Sequence, residues 1–208
     1  LNTDKGNPFD DAQLVWDYLF SGVYRDETGK LCHVPTRKSF HKDEHALLLS
    51  EGASKALAGG QLTELDGTCF RREKIKYHGL NGEHIVRGSY LYAPVAFLTK
   101  MFNGVILRDG DTAEIRLPDG RELTFAHGCI GCTIDNCVES MLCEAVTQDG
   151  KLYVPAGWFC SALYNWHVSD HGDCTYAASH ASRLSRYAAW LLSDILHDTQ
   201  ARQRGMKP

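Results

Sequence analysis

The sequence has no apolar run able to cross a bilayer. Stretches such as Ala46 to Leu49 fall far short of the roughly 20 residues that a membrane helix needs. It also has no excess of basic charge. Lys and Arg number 22 against 26 Asp and Glu, a formal net charge of −4, so nothing electrostatic favours nucleic acid or an anionic membrane as a partner. No Asn-x-Ser/Thr sequon occurs, and glycosylation therefore gives no evidence about compartment. A Gly-x-Ser-x-Gly elbow, a phosphate loop, a dinucleotide fingerprint and a His-Glu-x-x-His helix are all missing. These absences do not exclude an enzyme, because an acid–base pair leaves no local signature. No signal peptide is visible. The polar start, Leu1 to Asn7, reads as a trimmed mature end or an artificial boundary.

What is present suits a folded domain. The chain has 208 residues, 43% of them hydrophobic, enough to bury a core without metals or disulfides. It contains eight cysteines. An even count permits a disulfide framework in a secreted protein, and buried thiols are the alternative.

Pattern predicts helices first. Pro8, Asp10 and Asp11 begin a helix over 8–21, whose stripe is Ala12, Val15, Trp16, Leu19 and Phe20. Segment 25–42 reads as loop or a short hairpin. A second helix is expected over 43–58, closed by Gly59-Gly60. The texture then changes to short alternating runs. Asn81-Gly82 signals a hairpin, and Ala113, Ile115 and Leu117 followed by Leu123 and Phe125 predict a three-stranded meander over 104–126. A long C-terminal helix is expected from Ser182 to about Gln200, with Leu184, Ala188, Leu191, Leu192 and Ile195 at helical spacing.

One feature repeats. Leu91-Tyr92-Ala93-Pro94 recurs as Leu152-Tyr153-Val154-Pro155. Each is followed by an apolar helical stretch, an Asn (103 or 165), a short strand and a Gly-Asp turn. A Pro in the first helical turn loses no N–H bond. A helix this short needs a sheet to lie on. The stretch Gly150-Lys151-Leu152-Tyr153-Val154-Pro155, then an aromatic helix, then Trp166-His167-Val168, resembles the copper amine oxidase N-terminal-like domain of bacterial surface proteins, in two copies over roughly 72–178. The sequence departs from that pattern with Val95-Ala96 and Ala156-Gly157 after the prolines, and with Asn103 and Asn165 where Gly is usual. The resemblance implies a secreted or cell-surface accessory domain that binds no copper. It would accompany hydrolases or wall-binding modules, including a covalently linked catalytic domain. Residues 1–65 resemble nothing.

Three groups of side chains are candidates for chemistry. Tyr90, Tyr92, Tyr153, Trp158, Tyr164 and Trp166 would stack on sugar rings if exposed together, or would fill the core. His167, His171 and Asp173, with Asp170, Cys174 and His180 near them, would form an acid–base or metal site, or would be ordinary turn residues. Cys129, Cys132, Cys137 and Cys143, preceded by His127, would hold zinc or be stapled or free thiols. His41 and His45 sit four apart, but Asp43 is placed as a helix cap, so solvated histidines are expected.

These readings combine into an α+β protein. It has an N-terminal helical segment (1–65), a first sheet-plus-helix repeat (66–128), and a second repeat with the long C-terminal helix (129–208). The expected function is a noncatalytic extracellular module without a cofactor, which anchors or positions a partner by binding cell-wall or other polysaccharide. The alternatives are a carbohydrate-active hydrolase or lyase and a Cys/His metal-binding domain.

Overall fold

The computed structural model describes residues 23–25, 28, 30–33, 45–59, 61–73, 77–78, 84–85, 89–141, 143–179, 192–194 and 196–197. In chain order they form strands β1 (Val23–Arg25), β2 (Leu31–His33), β3 (Ala46–Ser50), β4 (Lys55–Ala58), β5 (Gln61–Glu64), β6 (Phe70–Glu73), β7 (Tyr77–His78), β8 (His84–Ile85) and β9 (Ser89–Pro94). Helix α1 (Val95–Met101) follows, then β10 (Val105–Arg108), β11 (Thr112–Arg116), β12 (Glu122–Ala126), β13 (Gly131–Ile134), β14 (Cys137–Ser140), β15 (Val146–Gln148) and β16 (Lys151–Pro155). Helix α2 (Ala156–Tyr164), β17 (His167–His171) and β18 (Cys174–Ala178) complete the series. The chain divides into two compact units, one of residues 1–64 with 165–208 and one of residues 65–164.

The continuous unit holds a four-stranded antiparallel sheet in the order β15-β16-β9-β6. Its centre joins the two Leu-Tyr-x-Pro segments. Tyr153 lies opposite Pro94, Val154 opposite Ala93, and Pro155 opposite Tyr92, so the pairing has local two-fold symmetry about Ala93 and Val154. Each proline ends a strand and admits a helix, and Pro94 sits at the N-cap of α1. The helices cross over: α1 lies against β16 and α2 against β9. Both helices end on an asparagine in the left-handed region, Asn103 at φ 57° and Asn165 at φ 55°, which Asn tolerates better than most residues.

The same unit holds a five-stranded sheet, β10-β11-β12-β13-β14. Alternation buries Ala113, Ile115, Leu123 and Phe125 on one face. Phe125 meets Trp158 edge-on at 6.2 Å and Phe159 at 6.3 Å. Two hairpins turn on residues with positive φ at both central positions, Asp135-Asn136 and Asp149-Gly150, as the right-handed twist of paired strands requires.

The discontinuous unit is built on the sheet β17-β18-β3-β4-β5. Every residue of β3 and β18 is buried, so these strands are covered on both faces. On one face Ala46, Leu48, Leu57, Cys174, Tyr176 and Ala178 cluster with the fully buried Leu192 and Leu196. Those leucines belong to helical residues at 192–194 and 196–197. Ser50 Oγ ties this segment down, 2.5 Å from Ser193 Oγ and 2.9 Å from His197 Nε2.

Several expectations are corrected. The described residues are mostly β, with 52% strand and 17% helix, the helices small and the larger sheets three and antiparallel, so the α+β class is wrong. The sheets are not divided between two sheet-plus-helix repeats, because the β9–β16 pairing puts both Leu-Tyr-x-Pro segments in one sheet. The helix expected over 43–58 is the β3–β4 hairpin, turning at Gly52 with φ 75°. The run Ala46 to Leu49 is apolar because it is covered on both faces, and such a run cannot be told from a buried helix by periodicity. The described residues show no long C-terminal helix over the span expected from Ser182 to about Gln200: of it they include only 192–194 and 196–197, which are helical. The helix expected over 8–21 lies outside the described residues.

Candidate functional site

The aromatic side chains do not make one exposed strip. Tyr92 and Tyr153 are about 1% exposed, and Trp158 is buried against Phe125. These three are core residues, not surface ligands, because alternation turns both tyrosines into one sheet face with Phe70, Tyr90, Cys143 and Val146. Their hydroxyls are used internally. Tyr92 Oη donates to the Glu144 carbonyl at 2.8 Å. Tyr153 Oη accepts the Thr68 N–H at 3.3 Å. Burial pushes both phenols above the ordinary tyrosine range. Tyr164 stacks on Phe102 with ring centroids 3.8 Å apart, and burial raises its phenol to about 12. Tyr90, Tyr164 and Trp166 are half-buried.

The histidines do not converge. His167 and His171 lie on one face of β17 but four residues apart, about 13 Å at the rise of a strand. Asp173 sits exposed in the β17–β18 turn, where its carbonyl accepts the Glu51 N–H. Asp170 points to the opposite face of the strand and accepts from Thr175 at 3.3 Å. Cys174 is buried in the sheet. His45 is exposed; His41 and His180 lie outside the described residues.

The cysteines divide the same way. Cys129 and Cys137 are exposed thiols, while Cys132 and Cys143 are buried ones, and none of the four is in a disulfide. Burial raises Cys132 to about 11, and Cys69 and Cys160 to about 12. Such thiols stay protonated and behave as small apolar core groups. His127 uses Nδ1 to accept the Thr147 N–H at 2.8 Å. Among the described residues no group of three or more His, Cys, Asp or Glu is placed to hold a metal.

What the fold does present outward is one face of the β10–β14 sheet. The cross-strand register sets Arg108, Glu114, Thr124, Thr133 and Val138 in a row across the five strands, about 19 Å wide at ordinary strand spacing. A second row runs from Val105 through Arg116 to Glu122. Arg116 grips Glu122 through two nitrogens at 2.6 and 2.9 Å, and Arg108 lies 3.7 Å from Glu114. Exposed pairs of this kind add at most about 1 kcal/mol each, but they fix the positions of their charges. Val138, at the edge, is 79% exposed. These residues escaped the sequence reading because register, not spacing, brings them together. The only signal available was the polar alternate positions of 112–116 and 122–126.

Among the described residues the fold is mostly β, in antiparallel sheets, and the β10–β14 sheet leaves a polar face open. No protein-family model matches the chain, and no curated protein or solved structure matches it either.

Proposed function

We propose that this protein is a noncatalytic accessory module that holds a partner against the open face of the β10–β14 sheet, and that the partner is a cell-surface or wall polysaccharide. The observation that carries the reading is the contrast between the two five-stranded sheets. In one, an apolar face is covered by Leu192 and Leu196. In the other, the face is polar and open, lined by Arg108, Glu114, Arg116, Glu122, Thr124 and Thr133. Threonine hydroxyls both donate and accept, and fixed carboxylates and guanidinia add directional partners, a set that matches sugar hydroxyls. The extracellular setting, beside a linked catalytic domain, belongs to this proposal and rests on the sequence resemblance. The cysteines give it no support, since buried thiols are core residues in any compartment.

Retention on a panel of insoluble polysaccharides tests the reading. The protein should be held by at least one. The double variant Thr124→Lys, Thr133→Lys should lose at least tenfold in retention with an unchanged melting temperature, since surface changes rarely move stability. A protein that passes every glycan unretained removes the polysaccharide, and a double variant that binds as well as the parent removes the face.

A further inference from the structure

The elements fall into two series of the same order. The first is β3, β4, β5, β6, β9, α1, β10, β11; the second is β12, β13, β14, β15, β16, α2, β17, β18. The β7–β8 hairpin is an insertion in the first. Pairing follows the same rule in both. β3, β4 and β5 pair in sequence, as do β12, β13 and β14. β6 pairs with β9 so that Phe70 faces Tyr92, and β15 with β16 so that Val146 faces Tyr153. The tyrosine hydroxyls obey it too. Tyr92 reaches Glu144, two residues before Val146, and Tyr153 reaches Thr68, two residues before Phe70.

The last hairpin of each series is exchanged. β11 pairs with β12 over Thr112–Ala126 to Arg116–Glu122. β18 pairs with β3 over Cys174–Ser50 to Ala178–Ala46. Both ladders hold five pairs in one register, and both are extended by a bond at each end. Leu117 N–H donates to Arg121 O at 2.8 Å, and Ser179 N–H to His45 O at 2.8 Å. The difference between the joints is covalent. Pro118-Asp119-Gly120 links one, and nothing links the other, whose strands lie more than a hundred residues apart in the chain.

We infer that residues 46–117 and 121–179 are two copies of one unit joined by mutual hairpin exchange, and that each copy is a specific binding partner for the other without the link. The β18–β3 joint already holds without a covalent turn. The equivalent β11–β12 joint buries Ala113, Ile115, Leu123 and Phe125, and the apolar surface they remove from water favours the association. The Tyr-Pro pairing at β9–β16 and the crossed tyrosine bonds tie the halves a third time.

A protease site inserted between the exposed Asp119 and Gly120 of the full chain tests this. After cleavage the two pieces should co-elute at the size of the intact protein, part only in denaturant, and reassemble one to one when denaturant is removed. Pieces that separate in native buffer overturn the inference. Should the insertion prevent folding, residues 1–119 and 120–208 produced together as separate chains give the second measurement, and co-purification in equal amounts is expected. Failure to co-purify overturns it. Specificity is read by Ala177→Glu, buried in the β18–β3 ladder, which should weaken association at least tenfold, against Ser161→Glu on the exposed side of α2, which should not. Equal effects of the two also overturn it.

Discussion

Gly67 shows how closely single positions are constrained. A Cβ there would lie 2.3 Å from Tyr153 Oη, the oxygen that accepts the Thr68 N–H. Its structural counterpart in the second series is Cys143, which packs beside Tyr92. Gly67→Ala is therefore expected to destabilise the protein by about 1–3 kcal/mol through overpacking. Adding Tyr153→Phe should recover part of that loss, because the colliding oxygen is gone. Urea midpoints of the parent, both single variants and the double variant check this. Strictly additive effects would contradict the assigned contact, since touching residues couple.

At the scale of elements, the two helices stop by the same device. Asn103 donates its N–H to Lys100 O, and Gly104 to Thr99 O, closing α1. Asn165 holds the equivalent left-handed position after α2. Replacing Asn165 by Ala is expected to cost about 1 kcal/mol, because Cβ clashes with the backbone in that region. Asn165→Gly should cost little or nothing. Thermal melts of the pair decide it, and an alanine variant as stable as glycine would dismiss the role. The repeated Asn was visible in the sequence as a substitute for Gly at a helix end. The β3–β4 hairpin was not visible. Its leucines look alike whether a helix or a two-sided sheet buries them.

At the scale of the whole molecule, buried thiols and phenols set an alkaline limit. Cys132, Cys69 and Cys160 hold their protons to about 11, 12 and 12, whereas an unfolded thiol releases its proton near 8.5. The folded state therefore binds more protons across that window. The stability these groups contribute is complete below about pH 8.5 and lost as pH climbs through about 11–12, with a slope approaching 1.4 kcal/mol per pH unit for each thiol. Tyr92 and Tyr153, raised by burial, act in the same direction at higher pH. Urea midpoints should fall between pH 8 and pH 10.5, and Cys160→Ala should shallow the fall. A flat profile would contradict the burial of these groups.

The sequence by itself determined the local grammar. Leu-Tyr-x-Pro specified a strand that becomes a helix, Asn103 and Asn165 the helix ends, and the alternation over 104–126 the meander. These follow from backbone preferences and side-chain period, which act over a few residues. Only the tertiary structure decided which strands share a sheet. It placed Ala46–Ser50 beside Cys174–Ala178, turned Tyr92, Tyr153 and Trp158 inward, kept His167 and His171 apart, and left the face of Glu114, Thr124 and Thr133 open. Pairing between distant strands depends on register and on what covers each face. Neither is encoded in spacing along the chain, because one polar or apolar period serves an open face, a covered face or a helix according to what packs against it.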